Sequence, residues 1–550
     1  MKTCKQCSTQ FEVTDADRKV YERFKVPEPT LCPNCRQQRR LAFRNEQNLY
    51  QRKCDLCKKD IVSVYSPDKP HTVYCPECFW GDQYDPLKYG REFDFSRPFF
   101  EQLGELIQKV PLLSNTVFNC VNCDYNSFCV NSKNCYMSTR VGNSEDVLYS
   151  YRPIHSLGCV DCYGTFKCQY CYECIDCWNC YNLKFCQLCT DTSDSAFCYD
   201  CIGCKHCFGC VDLRNAEYHI FNEKYSKEEY EKYLGKNNLG SYKNTQNFRK
   251  KLYSEEILKK PQRALVIINS ENTVGDYIIK SKDIYYSFEV EETDTARYCW
   301  GVEYGRDIYD SNFIYYGENC YENIANTRST NITFGFASFE VNDLMYSLMC
   351  FSNTHDCFGC VSLKHQEYCI LNKKYSKEEY EELVPKVIEH MKDTKEYGDF
   401  FPPSLSPFGY NEIIAQNHFP LKKEEALQKG FNWSDYEPPV PEVEKTISAE
   451  ELPDNTKDIP DDILNWAIKC KISGKPFKIA PQELKFYRKH NLSIPHKHPH
   501  IRHGERTKLI NPRKLWERKC DKCETEIQTT YSPDRPETVY CEQCYLKEIY

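Results

Sequence analysis

From Cys120 to Cys210 the small apolar positions keep a fixed rhythm: every cysteine there falls on a residue number divisible by three. From Cys162 the dominant period is nine, carried by Cys162, Cys171, Cys180, Cys189, Cys198 and Cys207. Cys159, Cys168, Cys177, Cys186 and Cys204 form a second series, and Tyr or Phe follows Cys162, Cys171, Cys180, Cys198 and Cys207. A short fixed period marks a solenoid, whose turns stack so that equivalent positions form ladders. Two nonapeptides per turn predict a parallel β-helix of about 18 residues per turn. The unit recurs downstream: residues 206–233 match 356–383 at 18 of 28 positions, and Ser144-Glu145-Asp146 and Cys162 have counterparts in Ser281-Lys282-Asp283 and Cys299. The pattern therefore predicts solenoid halves over 115–215 and 263–370.

Helical spacing appears between these stretches. Phe99, Leu103, Leu106, Ile107 and Val110 form one apolar face, predicting a linking helix within 93–114 that Ser96 can cap. Ser226-x-x-Glu229 and Ser376-x-x-Glu379 are capping boxes, predicting a helical excursion over 216–262 and a helix over 371–400. Residues 401–465 are rich in acids and carry Pro402, Pro403, Pro438, Pro439, Pro441, Pro453 and Pro460. They read as a partly extended, poorly packed linker. No run approaches 18 apolar residues, so no transmembrane helix is expected.

The two ends of the chain also repeat each other. Residues 52–79 and 518–545 are identical at 16 of 28 positions, including Cys54/Cys520, Cys57/Cys523, Cys75/Cys541 and Cys78/Cys544. Two Cys-x-x-Cys hooks 17 residues apart form a zinc-ribbon pattern, because a tetrahedral ion takes four soft ligands from two tight turns. Cys4, Phe11 and Tyr21 align with Cys470, Phe477 and Tyr487 at an offset of 466. A two-residue insertion then matches Val26-Pro27 to Ile494-Pro495, and Cys32/Cys35 to His500/His503. The first module, residues 1–92, is thus predicted to hold a second four-cysteine site of Cys4, Cys7, Cys32 and Cys35. Its C-terminal copy, residues 466–550, offers Cys470, Ser473, His500 and His503 there. That site either holds zinc, with His496, His498 or water as fourth ligand, or has lost its metal. The expectation is about three Zn²⁺ per chain, or four.

The duplications also sort cysteines by role. All four ribbon cysteines persist although 12 of the 28 positions around them change. In the solenoid, by contrast, Cys198, Cys201 and Cys204 align with Leu348, Phe351 and Thr354, and Cys168 with about Gly305. A ligand set does not survive such exchanges, so most solenoid cysteines read as stacked small hydrophobes. The spacing from Cys168 through Cys171, Cys174, Cys177 and Cys180 also fits an iron–sulfur loop, but no Cys-Pro ends it. Extra zinc or a metallothionein-like cluster is the remaining alternative.

Cysteine is the compositional outlier, at 37 of 550 residues, with 42 tyrosines. Met1-Lys2-Thr3 leads directly to Cys4 with no apolar leader, so a reducing cytoplasmic setting is expected and metal ligation is favoured over disulfides. The formal charge is −8, yet residues 467–550 hold 18 Lys and Arg against 10 acids. Arg39, Arg40 and Arg44 lie near Phe43 and Tyr50, and Arg513 and Lys514 near Trp516. Such basic and aromatic interleaving suits a phosphate-binding face, and a solvated charged face is the alternative. His490, His496, His498, His500 and His503 cluster, but no glutamate sits at a motif spacing to act as base. Walker, Gly-x-Gly-x-x-Gly and Gly-x-Ser-x-Gly motifs are missing, so no catalytic residue is assigned.

Cys-Pro-x-Cys-Arg-x-x-Arg-Arg at 32–40, Arg44-Asn45-Glu46, the ribbon at 52–79 and Tyr89-Gly90-Arg91 running into residues 93–100 carry a resemblance. The chain resembles the uncharacterised Cys-rich, multi-zinc-ribbon proteins common in bacteria of reduced-genome candidate phyla, over nearly its whole length. It departs from them at Ser473, His500 and His503. The resemblance implies the architecture and a bacterial cytosolic origin, and brings no activity or substrate. The expectation is a multidomain, mainly β protein with zinc-ribbon modules at both ends of a duplicated parallel β-solenoid with capping and excursion helices. Its expected role is a non-enzymatic scaffold for nucleic acid or a ribonucleoprotein. The alternatives are a protein-only interaction scaffold, or a metal-handling or redox protein using the Cys-dense solenoid.

Overall fold

The triplet rhythm belongs to a backbone that bends at every third residue. In the computed structural model, which describes residues 1–550 except 315–316, 326–327, 438, 440–442 and 550, positive φ recurs at Asn119, Asn122, Phe128, Asn131, Asn134, Met137 and Arg140, and onward past Asn222. Asn and Asp tolerate that left-handed bend best, and other side chains hold it only where the surroundings over-determine it. Here the surroundings are hydrogen bonds on both sides. Tyr151 pairs in parallel with Tyr163 and Tyr163 with Ile175, and the single-residue bridges Val121–Lys133 and Lys133–Glu145 continue the register. Partners therefore lie 12 residues apart. This corrects the expected 18: each step of the ladder is four triplets, not two nonapeptides.

So small a step explains the cysteines. The N–H groups of the two outward residues of each triplet bond to neighbouring steps, as Val121 does to Ser132 O and Asn134 to Val121 O. The inward residue's N–H instead meets a side chain 12 residues earlier. Ser144 N–H donates to Ser132 Oγ (3.2 Å), Cys162 N–H to Ser150 Oγ (3.0 Å), and Cys198 N–H to Cys186 Sγ (3.4 Å). The same thiols donate outward: Cys186 Sγ reaches Lys184 O at 3.4 Å and Ser195 O at 3.7 Å. In the first ladder most interior positions thus favour a side chain that is small and both accepts and donates, which Ser, Thr and Cys satisfy, with Val141, Val147 and Leu183 among the exceptions. "Small hydrophobe" was only part of the reason.

The second ladder, Glu271–Ile279 onward, keeps the 12-residue step with two irregularities, but much of its interior is apolar, with Ile278, Ile284, Val290, Val302 and Ile308 buried there. A bulge at Val274/Gly275 changes the register from 11 to 12, and Gly275 is required there, since an added Cβ would lie 1.8 Å from Ser287 O. Near Ser352 and Asn353, both at positive φ, one extra residue lengthens the step, so that Asn342 pairs with His355. Cys198 and Cys201 therefore correspond to the interior Ser347 and Cys350, not to Leu348 and Phe351. Ser347 Oγ accepts Cys360 N–H at 3.2 Å, the part Cys186 plays toward Cys198. Each ladder ends in a hairpin, Glu217–Ile220 with Glu223–Lys224 and Glu367–Ile370 with Lys373–Lys374. The hairpin feeds a helix, Lys227–Lys236 or Lys377–Asp393, that starts with the expected capping box.

The linking helix spans Phe99–Lys109 and starts after Pro98 rather than Ser96. Ser96 is held by Asp94, while the Glu396 carboxylate caps the N–H groups of Phe99 (2.8 Å) and Phe100 (2.7 Å). The expected linker is largely packed. Phe408, Tyr410, Ile413, Ile414, Ala415 and Phe431 are buried, as are Ile447, Ala449, Leu452, Ile459 and Ile463. Lys445–Ser448 pairs in parallel with Trp466–Lys469. Its prolines mark short helical turns and bends, and Pro438 and Pro441 lie outside the described residues.

The chain forms two compact units, Met1–Asn115 with Leu265–Tyr436, and Thr116–Ala264 with Glu437–Tyr550. Each joins one terminal module to the ladder half far from it in sequence, and the docking is duplicated. In the first unit Arg36 and Arg40 share the buried Asp310 (2.9 and 3.3 Å), and Arg39 pairs with Glu322 (2.8 Å). In the second, Arg502 and Arg506 share the buried Asp161, and Arg506 also faces Glu173 (3.6 Å). Both aspartates sit at positive-φ corners. The Arg36 guanidinium lies 5.2 Å from the Tyr298 ring, as that of Arg502 lies 4.8 Å from the Tyr149 ring. Module residues correspond at an offset of 466 and ladder residues at 149, so the two duplications are one duplicated unit.

Two outcomes test this account. Cys186→Ser keeps an acceptor for Cys198 N–H, whereas Cys186→Ala strands it and lowers stability by about 1–3 kcal/mol. The urea midpoints of the two variants decide the matter, and equal midpoints would remove the hydrogen-bond explanation. Asp310→Ala leaves Arg36 and Arg40 buried without their carboxylate, with an expected loss of about 3–5 kcal/mol in the same titration. An unmoved midpoint would mean that the pair does not hold the module on the ladder.

Candidate metal centres

In both modules a β-hairpin supplies the first Cys-x-x-Cys hook and a helix start the second. Tyr50–Lys53 pairs with Asp60–Ser63, and Trp516–Lys519 with Glu526–Thr529. The hairpin loop folds back through Cys54 N–H to Lys59 O and Lys58 N–H to Cys54 O, and identically through Cys520 to Thr525 and Glu524 to Cys520. The second hook opens a helix at Pro76–Trp80 or Glu542–Ile549. In the other N-terminal site, Cys4 and Cys7 lie on the loop between short paired strands, and Cys32 precedes helix Pro33–Leu41.

The sulfur atoms of Cys4, Cys7, Cys32 and Cys35 lie within 4.8 Å of one another. So do those of Cys54, Cys57, Cys75 and Cys78, and those of Cys520, Cys523, Cys541 and Cys544. A tetrahedral ion with metal–sulfur bonds of about 2.3 Å spaces its ligands about 3.8 Å apart. The Cys7–Cys32, Cys57–Cys75 and Cys523–Cys541 separations are 3.7, 3.8 and 3.8 Å. One sulfur in each set already accepts a backbone N–H: Cys4 from Cys32 (3.3 Å), Cys54 from Cys75 (3.3 Å), and Cys520 from Cys541 (3.2 Å).

The electrostatics of these groups suit a cation. At Cys54 burial raises the thiol pKa, but backbone N–H groups outweigh it and bring the value down to about 7. The Thr525 hydroxyl and backbone bring Cys523 down to about 6. Burial and the neighbouring thiols push Cys78 up, and Cys544 up to about 12. Four thiolates cannot ionise together without compensation, and a divalent ion supplies it.

The fourth module site differs from the expected one. Hydrogen bonds hold the offset at 466 throughout: Cys4 N–H to Thr9 O matches Cys470 N–H to Lys475 O, and Lys5 N–H to Thr30 O matches Lys471 N–H to His496 O. No insertion intervenes. Cys32 corresponds to His498, which precedes helix Pro499–Lys508, and Cys35 corresponds to Ile501. The equivalent set is thus Cys470, Ser473, His498 and Ile501. Among the described residues, Cys470, His500 and His503 are not brought together as a group of ligands. The His503 ring instead lies 5.7 Å from Tyr151 and 6.1 Å from Tyr163. His496 stacks on Tyr242 at 3.6 Å, and burial lowers its pKa to about 4, keeping it neutral.

A group that sequence reasoning missed is Cys120, Cys123 and Cys129, whose sulfurs also lie within 4.8 Å of one another. Its signal, a Cys-x-x-Cys and a third cysteine, was hidden in the ladder rhythm. The remaining ladder cysteines form no such group among the described residues.

The basic candidates divide. Arg39 and Arg40 are buried in the ion pairs described above, and the buried Arg44 pairs with Glu46 and lies 4.7 Å from the Phe313 ring. These three are corrected from phosphate contacts to docking and packing residues. Lys514 is exposed, with its ammonium 4.9 Å from the ring of half-buried Trp516, and Arg513 is half-buried. No helix among the described residues is long and apolar enough to cross a membrane. No protein-family model, curated protein or solved structure matches the chain.

The sites separate by metal content. Cys54→Ser and Cys520→Ser should each lower the metal content of the purified chain by about one equivalent. Cys470→Ser should leave it unchanged; a loss there would restore a fourth module site.

Proposed function

We propose that this chain is a non-enzymatic scaffold, stabilised by zinc at three four-cysteine sites, with its two ladders forming the halves of a duplicated β-solenoid. The observation that carries the zinc reading is that each of three tetrads has its four sulfurs within 4.8 Å of one another and one pair at 3.7–3.8 Å, the edge of a zinc–thiolate tetrahedron. Closed four-thiolate sites are structural rather than catalytic, because no coordination position is left for substrate. A reducing cytoplasm suits so many free thiols, and we place the protein there.

The partner we propose is nucleic acid, as RNA or a ribonucleoprotein, engaged by the C-terminal module. Lys514 and Trp516 support this: an exposed ammonium beside a half-exposed indole offers both a phosphate contact and a stacking surface. The corresponding position in the N-terminal module is Tyr50, which is buried and donates to Glu412 Oε1 at 2.6 Å. Both ribbons pack within their own units, but this aromatic position is covered in the N-terminal one and half-exposed at Trp516, which makes the C-terminal ribbon the better candidate for a partner.

Metal analysis of the full chain, with a salt titration of single-stranded RNA binding, tests the proposal. The ribbon and N-terminal sites should supply about three zinc equivalents. Lys514→Ala should flatten the plot of log affinity against log salt by about 0.7–1, and Trp516→Ala should weaken binding by about 1–3 kcal/mol. Binding that is absent or indifferent to salt would sink the nucleic-acid assignment. Tetrads that carry no zinc would sink the structural one.

A further inference from the structure

A thiol cluster outside the modules has the makings of a metal site. In the first ladder the inward corners of the opening step are Cys120, Cys123, Asn126 and Cys129. Asn126 is committed elsewhere, donating to the carbonyl oxygens of Cys123 (2.8 Å) and Cys135 (2.6 Å) and accepting Ser138 N–H (2.8 Å). The three cysteines converge: Cys120 and Cys129 sulfurs are 3.5 Å apart, and all three lie within 4.8 Å of one another. Four other inward cysteines, Cys168, Cys171, Cys174 and Cys177, share one step yet form no such group among the described residues.

Position explains the difference. Val117–Phe118 is the terminal strand of its sheet, so within this unit no earlier step stacks on Cys120, and its side chain is half-exposed. Farther along, inward thiols are enclosed by steps on both sides; thiols there and at the opening step alike donate to the carbonyl two residues back, as Cys189 does to Gln187 O and Cys120 to Phe118 O, so the difference lies in the open edge. At the opening step, Cys123 Sγ accepts Cys135 N–H at 3.4 Å. Ladder thiols such as Cys186 accept a backbone N–H in the same way, so what sets this site apart is the convergence of its sulfurs at the open edge.

We infer that Cys120, Cys123 and Cys129 bind one soft d¹⁰ metal ion, Zn²⁺ or Cu⁺, through three thiolates at the exposed end of the first ladder. Three thiolates satisfy trigonal Cu⁺ outright, whereas Zn²⁺ would take a further ligand from solvent. The site closes the end of the ladder as the hairpin and helix close the other end.

Full-length protein, stripped of metal under reducing anaerobic conditions and reloaded with Zn²⁺ alone or Cu⁺ alone, tests the inference. The Cys120→Ser/Cys129→Ser variant should bind about one equivalent less than the unaltered chain of at least one of the two ions. The ion showing the difference identifies the native class. Serine occupies the positions matching Cys120 at Ser132, Ser144 and Ser156, and the hydroxyl of Thr165 one matching Cys129, so the variant should fold, and Cys186→Ser/Cys198→Ser serves as a control that loses no metal. Equal uptake of both ions by the variant and the unaltered chain overturns the site. A loss in the control as large as in the variant also overturns it, since the binding would then belong to the whole thiol column. The readout is a difference of one equivalent, so it stands whether or not the module tetrads carry zinc.

Discussion

The cysteine-rich first ladder depends on one hydrogen bond that its backbone alone does not supply. With partners 12 residues apart, the inward N–H groups do not meet the carbonyls that the outward ones meet, and a buried N–H left unpaired is costly. Where the inward side chain of the preceding step is Ser, Thr or Cys, it supplies the acceptor, as Ser132, Ser150 and Cys186 do, whereas Ile278, Ile284, Val290 and Ile308 line the second ladder without one. Serine, threonine and cysteine are both small and able to accept. Cysteine adds a larger, more polarizable atom that fills space as it accepts. The cysteine content of this chain is therefore mostly backbone chemistry, and metal binding needs a different signature, the convergence of three or four sulfurs.

A ladder so narrow has little core of its own, so its outer faces carry the larger packing. The modules meet that need through buried charge rather than apolar contact alone. Arg36 with Arg40, and Arg502 with Arg506, are spaced one helical turn apart, so each pair reaches a single corner aspartate. Burial pushes the Asp161 carboxyl up to about 6 against the pull of Arg502 and Arg506, so desolvation consumes much of the attraction. Such pairs contribute less to net stability than to placement. They are costly to break and orient a module on one corner of one face. That two units repeat the arrangement at fixed offsets means that the docking was present before the duplication.

The ribbons were legible in sequence because four ligands and two tight turns constrain spacing, and distant copies retained both. The period-three rhythm was legible too, but the coil length was not: nine and 12 are both multiples of three. Only the pairing of Tyr151 with Tyr163 chooses between them. The arginine faces misled for a physical reason. A guanidinium that pairs with phosphate and one that pairs with a buried carboxylate look alike in sequence, and the partners Asp310 and Glu322 lie more than 270 residues from Arg36 and Arg39. The opening-step thiols were hidden because their neighbours share the same spacing without sharing the open edge.

In the C-terminal module Ser473 and Ile501 stand where the N-terminal module has Cys7 and Cys35, yet the loop around Cys470 keeps its hydrogen bonds at the same offset. Ordinary packing surrounds it. His496 stacks face to face on Tyr242, and Phe477, Ile479, Leu484, Tyr487, Leu492 and Ile494 are buried in a core shared with the first ladder. A metal tetrad holds a small module that has too little apolar area to fold alone. Once the module is docked by Arg502 and Arg506, the ladder supplies that area and the tetrad is dispensable. The ribbon at 520–544 is placed differently. Its Cys523 is exposed, its apolar support is the small group of Ala264, Ile527, Tyr531 and Val539, and it keeps all four cysteines of a tetrad.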